Sequence, residues 1–204
     1  MTELNLGIVL ELQPKAISGL TYIPNYINSL EHNQLLNEVD QQTWSIESVE
    51  LTRRLQQHGY RYDYENGILV SSSYLGPLPD WAQSLSKRLY KDGLMARFPD
   101  QLTVNEYVPG QGLTIHVDCV TCFCDTLATF SLGSSYVMEF THSQTHEKRE
   151  ILLSPGSVLV LQGEARYVWQ HSVAHRKIDK YQGKEFIRTR RVSLTFREAL
   201  FPHK

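Results

Sequence analysis

Apolar residues recur at helical spacing in two stretches before residue 100. In NYINSLEHNQLLNEVD (25–40), Ile27, Leu30, Leu35, Leu36 and Val39 form one stripe and predict a helix. In LPDWAQSLSKRLYKDG (78–93), Trp81, Leu85 and Leu89 fall four apart, with Pro79 near the start and Gly93 past the end, where helices favour them. After about residue 100 the period changes. LTVNEYV, LATFSL, SYVMEF, REILL, SVLVLQ, RYVWQH and VSLTF are short and rich in β-branched and aromatic residues, and several alternate apolar with polar. Pro109-Gly110, Gly133-Ser134 and Pro155-Gly156 punctuate them, and Asn66-Gly67 signals an earlier hairpin. Helices first and many short strands afterwards predict an α+β fold that is mainly β. The expected core is a jelly roll (double-stranded β-helix) with supporting N-terminal helices.

A chain of 204 residues suits one domain with a proper core better than two. Residues 1–204 are therefore expected to form a single unit, with about 1–100 giving the helices and 101–197 the β core. A hydrophobic content of 41% and a charged content of 21% place it among ordinary globular proteins. Its aliphatic runs, such as IVL and LVL, are too short to span a bilayer, so no membrane partner is expected. MTELNLGIVLELQPK has no basic residue before Lys15 and so lacks the positive start of a secretory signal. Three cysteines within six residues are an odd number, unsuited to a disulfide framework. Free thiols in a cytosolic monomer are expected, with the nucleus open to a eukaryotic protein.

Net charge is only −2, but it is unevenly spread. Residues 1–140 hold 8 basic and 16 acidic groups, whereas 141–197 hold 11 and 5. HRKIDKYQGKEFIRTRR (175–191) has seven Lys or Arg against two acids. It reads either as a contact for an anionic substrate or as a solvated basic loop.

LTIHVDCVTCFCD (113–125) carries the candidate chemistry, and two groups in it compete for a metal. Cys119, Cys122 and Cys124 could offer thiolates, but zinc normally takes paired ligands from two chain segments, and no second CxxC exists. His116 and Asp118, two apart on a strand, would point to one face, and a third ligand must come from a neighbouring strand. His171, closing RYVWQH, is the candidate. Two His and one carboxylate with open positions is the arrangement of non-haem Fe(II) oxygenases. An isolated His is more often a surface or core residue, so the pair alone does not decide.

The wider pattern resembles the AlkB family of iron- and 2-oxoglutarate-dependent dioxygenases. Asn105-x-Tyr107-x-Pro109-Gly110 matches the family's N-x-Y-x-P-G strand and turn, followed by GQGLTIHVD. PGSVLVLQGEARYVWQH matches its strand, Gly, Arg and metal-binding His. Arg191-Val-Ser-Leu-Thr-Phe-Arg197 fits the closing R-x-N-x-T-x-R, with Ser193 in place of Asn. The likeness covers residues 50–197 and is dense from 101 to 197. It looks most like the oxygenase domain that animals carry fused to a tRNA methyltransferase, which acts on a modified wobble uridine.

The resemblance implies roles. His116, Asp118 and His171 would hold Fe(II), and 2-oxoglutarate and O2 would be cosubstrates. Arg191 would pair with the far carboxylate of 2-oxoglutarate, as a planar guanidinium can. Asn105 and Tyr107, alternating on one strand, would face the cosubstrate, and Ser193 would offer only a hydroxyl where the family has an amide. Arg197 shares the face of Arg191 and would organise the iron and substrate side. Arg166 would be a support rather than a catalytic group. The expected reaction couples decarboxylation of 2-oxoglutarate to succinate with hydroxylation of a substrate C–H bond, which frees a base if the carbon is an N-methyl group.

ELTRRLQQHGYRYDYEN (50–66) stands where the family carries its nucleotide-recognition lid. Tyr60, Tyr62 and Tyr64 could stack a flipped base, and Arg53 and Arg54 could grip phosphate; the alternative is a strand whose tyrosines pack on the core. A modified base in RNA, tRNA or single-stranded or flipped-base DNA is the first substrate expected. The same oxygenase acting on a protein side chain or small molecule is the second. The third, of another class, is a non-catalytic metal or thiol module using the cysteines.

Overall fold

The computed structural model describes residues 16–46 and 53–201. The N-terminal stretch weighed for a secretory signal and the first residues of the 50–66 segment lie outside them. In chain order the elements are β1 (Leu20–Ile23), α1 (Ser29–Asp40), β2 (Leu55–His58), α2 (Asp80–Lys91), β3 (Gln101–Tyr107), β4 (Leu113–His116) and β5 (Phe123–Gly133). There follow β6 (Tyr136–His142), β7 (Lys148–Leu153), β8 (Val158–Leu161), α3 (Gly163–Tyr167), β9 (Trp169–Val173), β10 (Ile178–Tyr181), β11 (Lys184–Ile187) and β12 (Arg191–Ala199).

The strands make a six-stranded sheet, β1-β8-β5-β12-β3-β2, a four-stranded sheet, β4-β9-β6-β7, and a β10-β11 hairpin. Every pairing is antiparallel. Two facing antiparallel sheets with helices to one side are the expected jelly roll on an α+β frame. No helix of the described residues is long and apolar enough to cross a membrane.

Side-chain alternation gives the large sheet two buried faces with different chemistry. Val104, Phe130, Val160, Leu194 and Phe196 point one way, onto Leu35 and Val39 of α1 and Leu85 and Leu89 of α2. Each such side chain contributes about 1.5–3 kcal/mol by leaving water. The residues between them, Thr103, Asn105, Thr129, Ser131, Arg191, Ser193 and Arg197, are buried or half-buried on the other face, toward the small sheet. Polar groups on that face mark a cavity rather than a core.

Local chemistry sets the boundaries. Asn28 caps α1, its side-chain oxygen accepting the Glu31 N–H at 2.9 Å. Gly133 closes β5 at φ +80°, and a Cβ there would lie 2.4 Å from the Arg190 carbonyl, so only glycine lets β5 and β12 meet at that end. Asn66-Gly67 forms a turn closed by the single Asp63–Ile68 bridge rather than a full hairpin.

Three expectations change. Leu30 is 69% exposed: the helix begins at Ser29, Ile27 precedes it, and the buried stripe of α1 is Leu35 and Val39. RYVWQH is not all strand, because α3 runs through Tyr167 and β9 starts at Trp169. Cys119 and Cys122 are joined in a disulfide with Cα atoms 5.3 Å apart, and only Cys124 is a free thiol. The count of three hid a local pair, since a four-residue loop can bring two cysteines together whatever the third does.

Candidate active site

β4 and β9 pair so that His116 sits directly opposite His171. Asp118 lies two residues past the end of β4, in a loop that Arg166 holds: its Nη1 donates to the Asp118 carbonyl at 2.9 Å and its Nη2 to that of Cys119 at 3.0 Å. α3 is what delivers Arg166 there. The result is a cluster of one ligand atom each from His116, Asp118 and His171, all within 4.8 Å of one another, which could hold a metal ion.

The donors are oriented for it. His116 Nδ1 lies 2.7 Å from the Thr114 carbonyl, which can only accept, so Nδ1 donates there and Nε2 is turned to the cluster. Asp118 Oδ1 stands 3.3 Å from that Nε2 and 3.6 Å from His171 Nε2. Burial, reinforced by the charge of His116, pushes His171 down to about 4, so it is neutral and ligand-ready at neutral pH. Burial alone would raise Asp118, but the Arg197 guanidinium, with His116 and His171, outweighs it and holds the carboxyl well below its usual range. Arg197 in turn is held by Gln101 Oε1 and Thr103 Oγ1, both at 3.1 Å, and lies over the Phe123 ring.

Behind the triad the cavity, about 170 Å³, runs inward between the sheets to Arg191. Arg191 is 1% exposed, donates from Nη2 to Ser131 Oγ at 3.0 Å, and stacks on the rings of Tyr107 and Tyr136. Its Nε is buried with no hydrogen-bond partner among the described residues. Burying a guanidinium without a counter-anion is costly. A planar cation with donors in reserve at the end of a cavity fits the far carboxylate of a dicarboxylic acid. Asn105, Tyr107 and Ser193 line the same cavity, with Ser193 registered between Asn105 on β3 and Ser131 on β5.

The 53–64 residues divide. Leu55 pairs with Asn105 and the Glu106 N–H donates to the Arg54 carbonyl, so Arg53 falls on the cavity face and Arg54 on the other. Arg53 lines the cavity. Arg54 instead pairs with Glu106 and lies over the Trp44 ring, 4.6 Å from its centroid, which corrects its expected place in the site. Tyr62 and Tyr64 line the cavity mouth, 4.9 Å apart and edge to face. Tyr60 turns away onto Tyr74 and Phe201 and is not brought to the cavity.

The basic 175–191 segment is also redirected. Arg188 is fully buried, donating to both Asp179 oxygens at 2.6 and 2.8 Å. Arg176 pairs with Asp179 and Glu139, Arg190 with Asp40 and Glu106, and Arg191 enters the cavity. Its four arginines thus hold the fold together, and the positive charge of the segment that stays exposed is that of Lys177, Lys180 and Lys184.

Sequence reasoning missed Ser131, Gln101 and Thr103, which position Arg191 and Arg197. Their signal was a polar residue at alternate positions of strands otherwise apolar.

The sequence matches the 2OG-Fe(II) oxygenase superfamily over residues 19–197, and the chain belongs to it. Its relatives place it among the AlkB-type members. It is 36% identical over 184 residues to the tRNA (carboxymethyluridine(34)-5-O)-methyltransferase ALKBH8 of Macaca fascicularis, an alignment covering 86% of this chain and 27% of that one. It is 34% identical to the Alkylated DNA repair protein ALKBH8 homolog of Arabidopsis thaliana, covering 89% of this chain and 58% of that one. The solved structure of OsALKBH1 superposes with a TM-score of 0.68 at 15% identity, over 88% of this chain and 98% of the other, and shares the fold. The protein is an AlkB-family dioxygenase that uses Fe(II), 2-oxoglutarate and O2.

Proposed function

We propose that this dioxygenase hydroxylates or demethylates a modified base in nucleic acid, with RNA ahead of DNA. The observation that carries it is the cavity mouth, where Tyr62 and Tyr64 stand in front of the His116–Asp118–His171 cluster. Aromatic faces beside a narrow opening suit a flat group turned out of a nucleic-acid stack. The names of the relatives point the same way, one to tRNA and one to alkylated DNA, although each relative is longer than this chain.

His116, Asp118 and His171 would hold the iron, Arg191 the far carboxylate of 2-oxoglutarate, and Asn105, Tyr107 and Ser193 its flanks. Bound iron and cosubstrate supply the oxidation: O2 is consumed, 2-oxoglutarate becomes succinate and CO2, and one oxygen atom enters a substrate C–H bond. Arg197 keeps Asp118 ionised and aimed, the sheet walls would exclude bulk water, and Tyr62 and Tyr64 would hold the base at the cavity mouth.

A panel of methylated oligonucleotides and tRNA, incubated with Fe(II) and 2-oxoglutarate and read as nucleosides by mass spectrometry, tests this. A modified nucleoside lost or hydroxylated supports it, and a panel left unchanged overturns it. One observation favours a second substrate class, a protein side chain or small molecule: the basic segment spends its arginines internally. Oligonucleotide binding that is absent or indifferent to salt would support that class, because phosphate contacts weaken steeply as salt rises.

A further inference from the structure

The geometry points to Arg53 as a positioning residue of the cosubstrate site, one that fixes which end of the Asn105 amide faces 2-oxoglutarate. Arg53 is 7% exposed, and its Nε donates to Asn105 Oδ1 at 3.0 Å. Its guanidinium lies 5.7 Å from the Tyr107 ring centroid, while Arg191 lies 5.4 Å from the same centroid. Among the described residues it pairs with no carboxylate, although Arg197 and Arg188 each do.

An amide has a donor end and an acceptor end of nearly equal size, and only one of them suits an anion. Arginine has donors alone, so it can bind only the carbonyl end of Asn105. The Asn105 Nδ2 group makes no hydrogen bond to any described residue, and the side chain lines the cavity. With Oδ1 committed to Arg53, it is the N–H end that is left for the cavity, where the dianionic cosubstrate needs donors. Without Arg53 the amide is free to turn its carbonyl oxygen toward a carboxylate. The stacking on Tyr107 keeps the guanidinium plane in place. The alternation that sends Arg53 inward and Arg54 outward makes this possible: one arginine of the pair serves the site, the other the surface network with Glu106.

This inference rests on the family assignment and not on the choice of nucleic acid as substrate. Its test is a double-mutant cycle read by calorimetric binding of 2-oxoglutarate to Mn(II)-loaded protein, with no nucleic acid present. Arg53→Met should weaken 2-oxoglutarate about tenfold, the range set by one hydrogen bond to a charged group. In an Asn105→Ala background the same change should cost less than about twofold, because Arg53 acts through Asn105. Arg53→Lys, which also offers only donors, should recover most of the affinity, whereas Arg53→Gln, which can present either end, should not. Mn(II) binding itself should stay unchanged throughout. Fully additive losses would overturn the proposal, since they would mean that Arg53 binds the cosubstrate directly. Unchanged affinity in Arg53→Met, or equal affinity in the Lys and Gln variants, would overturn it as well. Should Arg53→Met fail to fold, the Lys and Gln pair carries the same comparison.

Discussion

Arg197 donates from Nε to Asp118 Oδ2 at 2.7 Å and thereby leaves Oδ1 to face the Nε2 atoms of both His116 and His171. One arginine thus sets both the ionisation and the rotamer of the only carboxylate in the cluster. Replacing it should loosen the metal more than the cosubstrate. Arg197→Met is expected to weaken Fe(II) or Mn(II) binding by about 10- to 100-fold, the usual cost of losing a group that orients a ligand. A metal titration without 2-oxoglutarate reads this directly. Unchanged metal affinity would mean that the His116–His171 pair and the Arg166 clamp suffice to place Asp118.

At the far end of the cavity Arg191 has the opposite profile. Among the described residues its Nε is unpaired and its neighbours are rings and one serine hydroxyl, so the residue suits a bound anion. Arg191→Lys keeps a charge but loses the planar, two-pronged geometry. It should weaken 2-oxoglutarate by roughly 10- to 100-fold, as befits one or two charged hydrogen bonds, with metal affinity unaltered. Calorimetry on the Mn(II)-loaded protein separates the two, and equal loss of both ligands would argue for a general collapse of the cavity.

The ends of the β core were legible in sequence because they combine alternation with unusual chemistry: charged Arg191 and Arg197 flanking VSLTF on one face, and polar Thr103 and Asn105 alternating with apolar Leu102 and Val104. The strands β1, β2, β10 and β11 were not, since four residues are too few to display a period and LQQH or KEFI carry little apolar signal. The same gap explains Arg54 and Tyr60. Without the register of β2 on β3, nothing told adjacent residues 53 and 54 apart, and a one-residue change of register reverses every side chain. The basic 175–191 segment misled for a different reason. Composition counts charges but not partners, and Asp179 alone engages two of its arginines.

The cysteines can be separated from the metal. Cys119 and Cys122 are bonded to each other, and no cysteine sulfur belongs to the His116–Asp118–His171 cluster. Cys119→Ser and Cys122→Ser, singly or together, should therefore retain iron binding. Closing so short a loop limits the chain-entropy gain to about 2 kcal/mol, so only a modest loss of stability is expected. Denaturant unfolding with and without a thiol reductant checks the second point. Iron lost with the thiols would revive a thiol-bound metal.

Asp179 offers a prediction about acid stability. It is fully buried, accepts hydrogen bonds from Arg188, Arg176 and the Val137 N–H, and ties the β10-β11 hairpin to β6. Burial would raise its carboxyl, but the Arg188 hydrogen bonds, with those from Val137 and Arg176, bring it below the ordinary 3.8. A carboxyl with a depressed folded pKa contributes stability that is complete above its unfolded value and is lost as pH falls through the folded one. Wild-type stability should therefore drop below about pH 4 with a contribution that Asp179→Asn lacks, so the variant should show a shallower acid slope from a lower starting point. Removing one partner of a buried pair costs about 3–5 kcal/mol, and Asp179→Ala should lose that much at pH 7 because Arg188 is left buried without its anion. Urea unfolding at pH 7 and at pH 3 measures both quantities. Equal pH slopes in wild type and Asp179→Asn would show that the Arg188–Asp179 pair is not what acid breaks.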